Sequence, residues 1–138
     1  MDNPIPRKEV NMSKKSRFVK NSDGTVTDNL FKVMWGPTLP EYMTYSKAEK
    51  ACKDLSFAGY KDWRLPTVNE LFSLVDRKKY SPAIDTEIFP DTKSNWYWTS
   101  EVYVGSSDDG WIVYFNYGYV SYYYRNSVLY VRPVRQVV

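Results

Sequence analysis

AGYKDWRLPTVNELFSLVD, residues 58–76, decides how the rest of the chain is read. Thr67 stands three residues before Glu70, the spacing at which a threonine hydroxyl and a glutamate carboxylate satisfy each other's unpaired amides at a helix start. Pro66 sets up that start, Leu71, Leu74 and Val75 give the helix a buried face, and Asp76 ends the pattern. Just before it, Asp62-Trp63-Arg64 concentrates an indole and a guanidinium. They read either as a binding site or as a core indole beside an arginine paired with a carboxylate, and the structural reading is the stronger.

Upstream, Ser46 can cap a helix running to about Phe57, with Ala48, Ala51, Cys52 and Leu55 at helical spacing and Gly59 as the stop. Earlier still, 17–19 reads as a short strand, 21–24 as a turn, Val26 as extended chain, and 33–35 as a second strand broken by Gly36-Pro37. Residues 1–15 are polar, hold Pro4 and Pro6, and read as a flexible or partner-docked arm. Downstream, 77–95 reads as irregular connection. Trp111, Val113 and Phe115 then alternate with Ile112, Tyr114 and Asn116, as in a half-buried strand whose inward face is the first set. Asn116-Tyr117-Gly118 suits a turn, Val120 begins the return strand, and 130–134 reads as the final strand. Two helices followed by a hairpin-rich segment make an α+β domain with a small antiparallel twisted sheet.

At 138 residues this is one domain with a modest core. There is no histidine, which removes the commonest general base and the commonest metal ligand. Cys52 is the single cysteine and reads as a small buried hydrophobe, with no histidine to activate it. Asp108-Asp109 beside Gly110 reads as a turn rather than an acid/base pair. No phosphate loop or calcium-hand spacing is present. The expectation is therefore no enzyme, no catalytic residues, no metal and no cofactor. No apolar run reaches membrane-spanning length, so no membrane insertion is expected. Residues 1–16 lack the apolar core of a signal peptide, which points to an intracellular chain or one that reaches an exterior within a larger particle. The lysines all lie at or before Lys93, apart from the C-terminal aromatics, so a nucleic-acid partner is not expected either.

Nine of the 13 tyrosines fall between Tyr97 and Tyr130, and the run 112–130 (IVYFNYGYVSYYYRNSVLY) has no Lys, Glu, Gln, Met or Trp. Tyrosine offers a large rigid contact surface and a hydroxyl at low entropic cost, the composition logic of an antibody paratope. High β-propensity and cross-strand packing would account for some of these rings. Tyr122, Tyr123 and Tyr124 in succession cannot all face one side of a strand, so several must be exposed.

The chain resembles the Lcl C-terminal domain family. The resemblance rests on 23–29 (DGTVTDN), Met34-Trp35, 58–67, Glu70-Leu71, 74–76, Tyr97-Trp98-Thr99-Ser100, 111–115, Gly118, Val120 and 131–135. It implies a C-type lectin-like fold over 16–138 and a binding module. Phe31-Lys32 stands where the family usually has Thr-Gly. Pro133 stands where it often has a cysteine, which would leave Cys52 without a disulfide partner. The calcium-ligand motifs of sugar-binding lectins are absent. The same fold is the scaffold of variable proteins made by diversity-generating retroelements, in which asparagine-type codons are randomised to a set that excludes the five types missing from 112–130.

On that resemblance the ligand contacts are Tyr103, Ser106, Tyr114, Asn116, Tyr117, Tyr119, Ser121, Tyr122, Tyr123, Asn126 and Ser127. Trp35, Trp63, Trp98, Trp111 and Phe115 would be the framework that holds them. The partner would be a protein or glycan on a target surface. Oligomerisation stays open, as does location, display on a virion or within a larger surface assembly included. The alternatives are a fixed carbohydrate- or glycosaminoglycan-binding adhesin domain and, more distantly, an enzyme, since the formylglycine-generating enzyme has a related fold but needs reactive cysteines.

Overall fold

Seven short strands and two helices form the described part of the chain, residues 17–137, in a computed structural model. The expected arm at 1–15 lies outside the described residues. In chain order the elements are β1 (Phe18–Lys20), β2 (Val26–Asp28), β3 (Val33–Trp35), α1 (Tyr45–Asp54), α2 (Val68–Phe72), β4 (Trp96–Val102), β5 (Asp109–Tyr114), β6 (Tyr119–Tyr124) and β7 (Val134–Gln136). They build two antiparallel sheets rather than one, in the orders β1-β2-β3-β7 and β4-β5-β6.

The capping box at Thr67 is present in full. The Thr67 hydroxyl accepts from the Glu70 amide, and the Glu70 carboxylate accepts from the Thr67 amide. The same carboxylate takes two bonds from Arg64, at 2.8 and 2.9 Å, while Trp63 is buried. The structural reading of Trp63-Arg64 therefore holds. α2 is shorter than its apolar pattern predicts, closing at Phe72. Leu74 and Val75 follow in tighter turns whose amides bond to Leu71 and Phe72, and Leu74 still reaches the core.

α1 begins two residues earlier than a cap at Ser46 predicts, with Thr44 at the N-cap and no side-chain cap. Tyr45 is drawn into the first turn because its ring packs edge-on against Trp98 and its hydroxyl donates to the Ser100 carbonyl at 2.8 Å. The helix stops at Asp54, not near Phe57. Gly59 does not end it but closes a tight turn, in which Phe57 and Tyr60 exchange both backbone hydrogen bonds while Ala58 and Gly59 take φ of 56° and 85°. That is the two-residue turn with both central residues left-handed.

The second sheet is buried on both faces, which the alternation argument did not anticipate. Tyr97 and Val113 are cross-strand partners, as are Trp98 and Ile112, and all four are essentially inaccessible. Tyr97, Val113 and Phe115 join Leu71, Leu74, Phe89 and Trp35 in a core between the sheets. Trp98 and Ile112 point the other way, into a second core with Tyr45, Ala48 and Cys52 of α1. Ile112, expected outward, is buried for that reason. Trp111, expected inward, is only half-buried.

The irregular stretch 77–95 is irregular as expected, yet it supplies Ala83, Ile84 and Phe89 to the core. The final strand is β7, not 130–134. Residues 129–131 instead line the outer side of β4, where Trp98 donates to the Tyr130 carbonyl and Tyr130 donates to Trp96. Leu129 exchanges bonds with Met43, Val134 does so with Arg64, and β7 then pairs with β3. The segment 129–136 thus ties the second sheet to the first.

Candidate functional site

β5 and β6 form a hairpin in unbroken register from Asp109↔Tyr124 to Tyr114↔Tyr119. Cross-strand partners share a face, and successive residues alternate. One face therefore carries Trp96, Tyr114, Tyr119, Ser121 and Tyr123 beside the buried Trp98 and Ile112. The other carries Trp111 and Tyr122 beside the buried Tyr97, Val113 and the partly buried Val120.

The nominated contacts accordingly fall into two aromatic clusters and a loop. On the α1 side, Trp96 lies 4.6 Å from Tyr123 and 5.2 Å from Tyr114, centroid to centroid. Tyr114 in turn meets Tyr117 and Tyr119 edge-on. Ser121 sits between Tyr119 and Tyr123 on this face, and its small side chain leaves room for the large rings to converge. The Asn116 amide donates to the Tyr114 hydroxyl at 3.3 Å, while its carbonyl accepts from the Ser81 amide.

On the opposite face Tyr103 stacks on Tyr122 at 4.2 Å with the rings 8° from parallel, and Trp111 meets both edge-on. Trp111 is thus a wall of this cluster rather than part of the buried framework. The loop group holds Ser106, whose amide bonds to the Tyr103 carbonyl, together with Asn126 and Ser127, which bond to the Tyr124 hydroxyl and carbonyl. Arg125 braces these loops through its amide to Asp108 and its guanidinium to the Ser107 carbonyl.

Tyr117 is 66% exposed, Tyr119 45%, Tyr122 46% and Tyr123 37%, so all four reach solvent, Tyr117 most of all. Two residues not nominated belong with them. Tyr124 is 52% exposed at the end of β6, and the period-2 argument that predicted exposure for its neighbours applied equally to it. Trp96 lies outside 112–130, and only its pairing opposite Tyr114 brings it in.

The framework beneath is fully bonded. The Trp98 indole donates to the Met43 carbonyl at 2.9 Å, the Trp35 indole to Asp28 at 3.1 Å, and the Trp63 indole to the Tyr60 carbonyl at 3.1 Å. Gly110, opposite Tyr123, has no side chain because the Tyr45 and Trp98 rings fill its place; an added Cβ would lie 3.1 and 3.2 Å from them. Gly118 closes the hairpin at φ 86° and packs on Val75 and Ala83.

The two larger concave features lie away from the tyrosines. A depression of about 660 Å³ is lined by Phe18, Leu30, Leu74 and Ile84 among others, and one of about 790 Å³ runs along α1 beside Arg64. Nearest the hairpin is a hollow of about 130 Å³ at Ser46, Asp108, Tyr124, Arg125 and Asn126. Burial pushes the Cys52 thiol up to about 12, away from the nucleophilic thiolate form. Among the described residues no cluster of metal-ligating side chains occurs.

These features define a small α+β domain that displays an aromatic hairpin on a rigid, doubly buried sheet. A model of the Lcl C-terminal domain family matches residues 24–135, and the chain belongs to that family. No curated protein matches the chain. Lys32, in the dipeptide where the resemblance expects Thr-Gly, takes φ 57°, the left-handed conformation that glycine would adopt freely.

Proposed function

We propose that this domain is a non-catalytic ligand-binding module of C-type lectin-like fold, whose tyrosine-rich hairpin is a diversified recognition surface of the kind made by diversity-generating retroelements. The observation that carries the reading is the exposure of Tyr117, Tyr119, Tyr122, Tyr123 and Tyr124 on a sheet whose central residues, Tyr97, Trp98, Ile112 and Val113, are buried on both faces. A sheet that needed these rings for packing would cover them. Rings left in water over a rigid base offer contact area whose ordering cost is already met by the fold.

The ligand is a protein or glycan on a target surface, read by ring faces and by the hydroxyl and amide groups of Ser106, Asn116, Ser121, Asn126 and Ser127. Exposed rings spread over two faces and a loop suit a macromolecule better than a small substrate, which would favour an enclosing cavity. The absence of histidine and the suppressed Cys52 thiol support the non-catalytic reading. The fixed carbohydrate-binding alternative draws support from Trp96 and Trp111, whose indoles stand among the exposed tyrosines.

Sequencing the locus tests this directly. The expected result is a neighbouring reverse transcriptase and a near-copy template, with sister copies differing at hairpin positions such as Tyr117, Tyr119 and Tyr122 but not at Trp98, Ile112 or Val113. Sister copies that vary as freely in the buried framework would defeat the proposal. A hairpin constant in every copy would leave the carbohydrate-binding reading.

A further inference from the structure

Among the described residues, the outer edge of the hairpin has no strand beside it. There β6 ends its sheet, paired with β5 on one side and with no other described strand on the other. Among the described residues, no further backbone group bonds to the main chain of residues 119–123. The opposite side of the same sheet is closed, since residues 129–131 bond along β4. In the first sheet Arg64 covers part of β7, and β1 is only three residues long. β6 is twice that length, and its sequence YVSYYY has none of the usual guards of an edge strand: no lysine, no proline and no bulge.

We propose that β6 engages its ligand by strand addition. An extended stretch of a protein partner pairs with the main chain of 119–124, while the exposed tyrosines on the two faces grip its alternating side chains. This rests on the reading of the hairpin as the recognition surface and names the class of ligand it takes. The edge offers amide donors and carbonyl acceptors at the two-residue repeat of a strand, about 6.6 Å, and a polypeptide reproduces that repeat along its length where a glycan does not. Main-chain pairing is indifferent to side-chain identity, whereas contacts with the flanking rings are not. The edge thus supplies a constant part of the affinity, and residues 119, 122 and 123 set which partner is chosen. Diversifying the side chains of β6 would change specificity without removing the docking rail.

The test uses the whole chain and linear peptides selected against it from a random phage-displayed library, then made synthetically. In the free protein, alternate β6 amides should exchange with solvent rapidly, because they face no partner. Bound peptide should protect those same amides. Single N-methyl groups walked along the peptide should weaken binding about fivefold at every second position and little between, the equilibrium factor of one net hydrogen bond. The modification is made in the peptide, so folding of the domain does not enter.

Peptides that bind without protecting any β6 amide, or without that alternation, overturn strand addition. If Tyr119→Ser and Tyr123→Ser still weaken those peptides, the recognition surface survives and only its docking mode is wrong. If neither substitution matters, the surface reading fails as well. Amides already protected in the free protein, and released on dilution, would mean that a second copy occupies the edge, which also overturns the proposal. So would a library that yields no binder.

Discussion

Asp28 accepts bonds from the Arg17 guanidinium, the Trp35 indole and the amides of Leu30 and Phe31, with no exposed surface of its own. Burial alone would raise its pKa. The bonds from Arg17 and Trp35 outweigh burial and hold the carboxyl below its ordinary value. A folded value below the unfolded one means that the stabilisation is complete above the unfolded value of about 3.9 and is lost as pH falls through the lowered folded value. Asp91 beside Arg132 and Glu70 beside Arg64 have the same sign. Urea midpoints should therefore stay flat from neutrality to about pH 5 and fall steeply below about pH 4. Asp28→Asn should cost about 2 kcal/mol or more at neutral pH, because it leaves the partly buried Arg17 guanidinium without its countercharge and the buried Asp28 site without its charge-assisted bonds, and it should flatten the acid limb. At Lys32 the backbone is pinned by bonds from Val137 and Gln136 to its carbonyl, in a conformation costly for any residue with a Cβ. Lys32→Gly is expected to raise stability by about 1 kcal/mol, read as an increase in melting temperature.

At the scale of elements, the α2 start and the β5–β6 hairpin respond differently to substitution. Thr67→Ala removes one half of a capping box already seen in place and should cost about 1 kcal/mol in chemical denaturation. Gly118→Ala should cost about 2 kcal/mol, since it forces a left-handed φ and sets a methyl 2.8 Å from Val75. The exposed tyrosines are not equivalent. Tyr117→Ser should change the melting temperature little, whereas Tyr122→Ser should cost about 1 kcal/mol by unstacking Tyr103 and Trp111. The capping box was legible because its two residues act within one turn of chain. Val113 and Phe115 face the core as the alternation predicts, but Ile112 was misassigned outward because period-2 alternation assumes one wet face, and α1 covers the second. Nothing local to Ile112 announces a helix sixty residues upstream. The tyrosine bias of 112–130 was legible from composition and the candidate contacts were drawn from the resemblance, but their division between two faces needed the register, and Trp96 entered only through its partner Tyr114.

At the scale of the whole molecule, the sheets share one core between them and one segment that bonds to both. Residues 129–136 touch β4, Met43, Arg64 and β3 in succession. Heating should therefore give a single cooperative transition. A chain truncated after Val128 should show none, because it loses the buried Leu129, Val131 and Val134 together with these bonds. Circular dichroism of the truncated chain checks this; a retained sharp melt would mean that the two sheets stand independently.

That arrangement also bears on synthesis. The segment that locks the sheets follows the hairpin in the chain, so the ribosome makes every hairpin before it makes the lock. A lost or gained nucleotide within the codons for 112–130 would scramble the reading frame of everything that follows, and the resulting chain could not close. Such products would stay open to proteases. If the hairpin is diversified as proposed, only versions altered letter for letter, with the frame intact, would accumulate as folded protein, and the clasp would act as a proofreader of the coding sequence upstream of it.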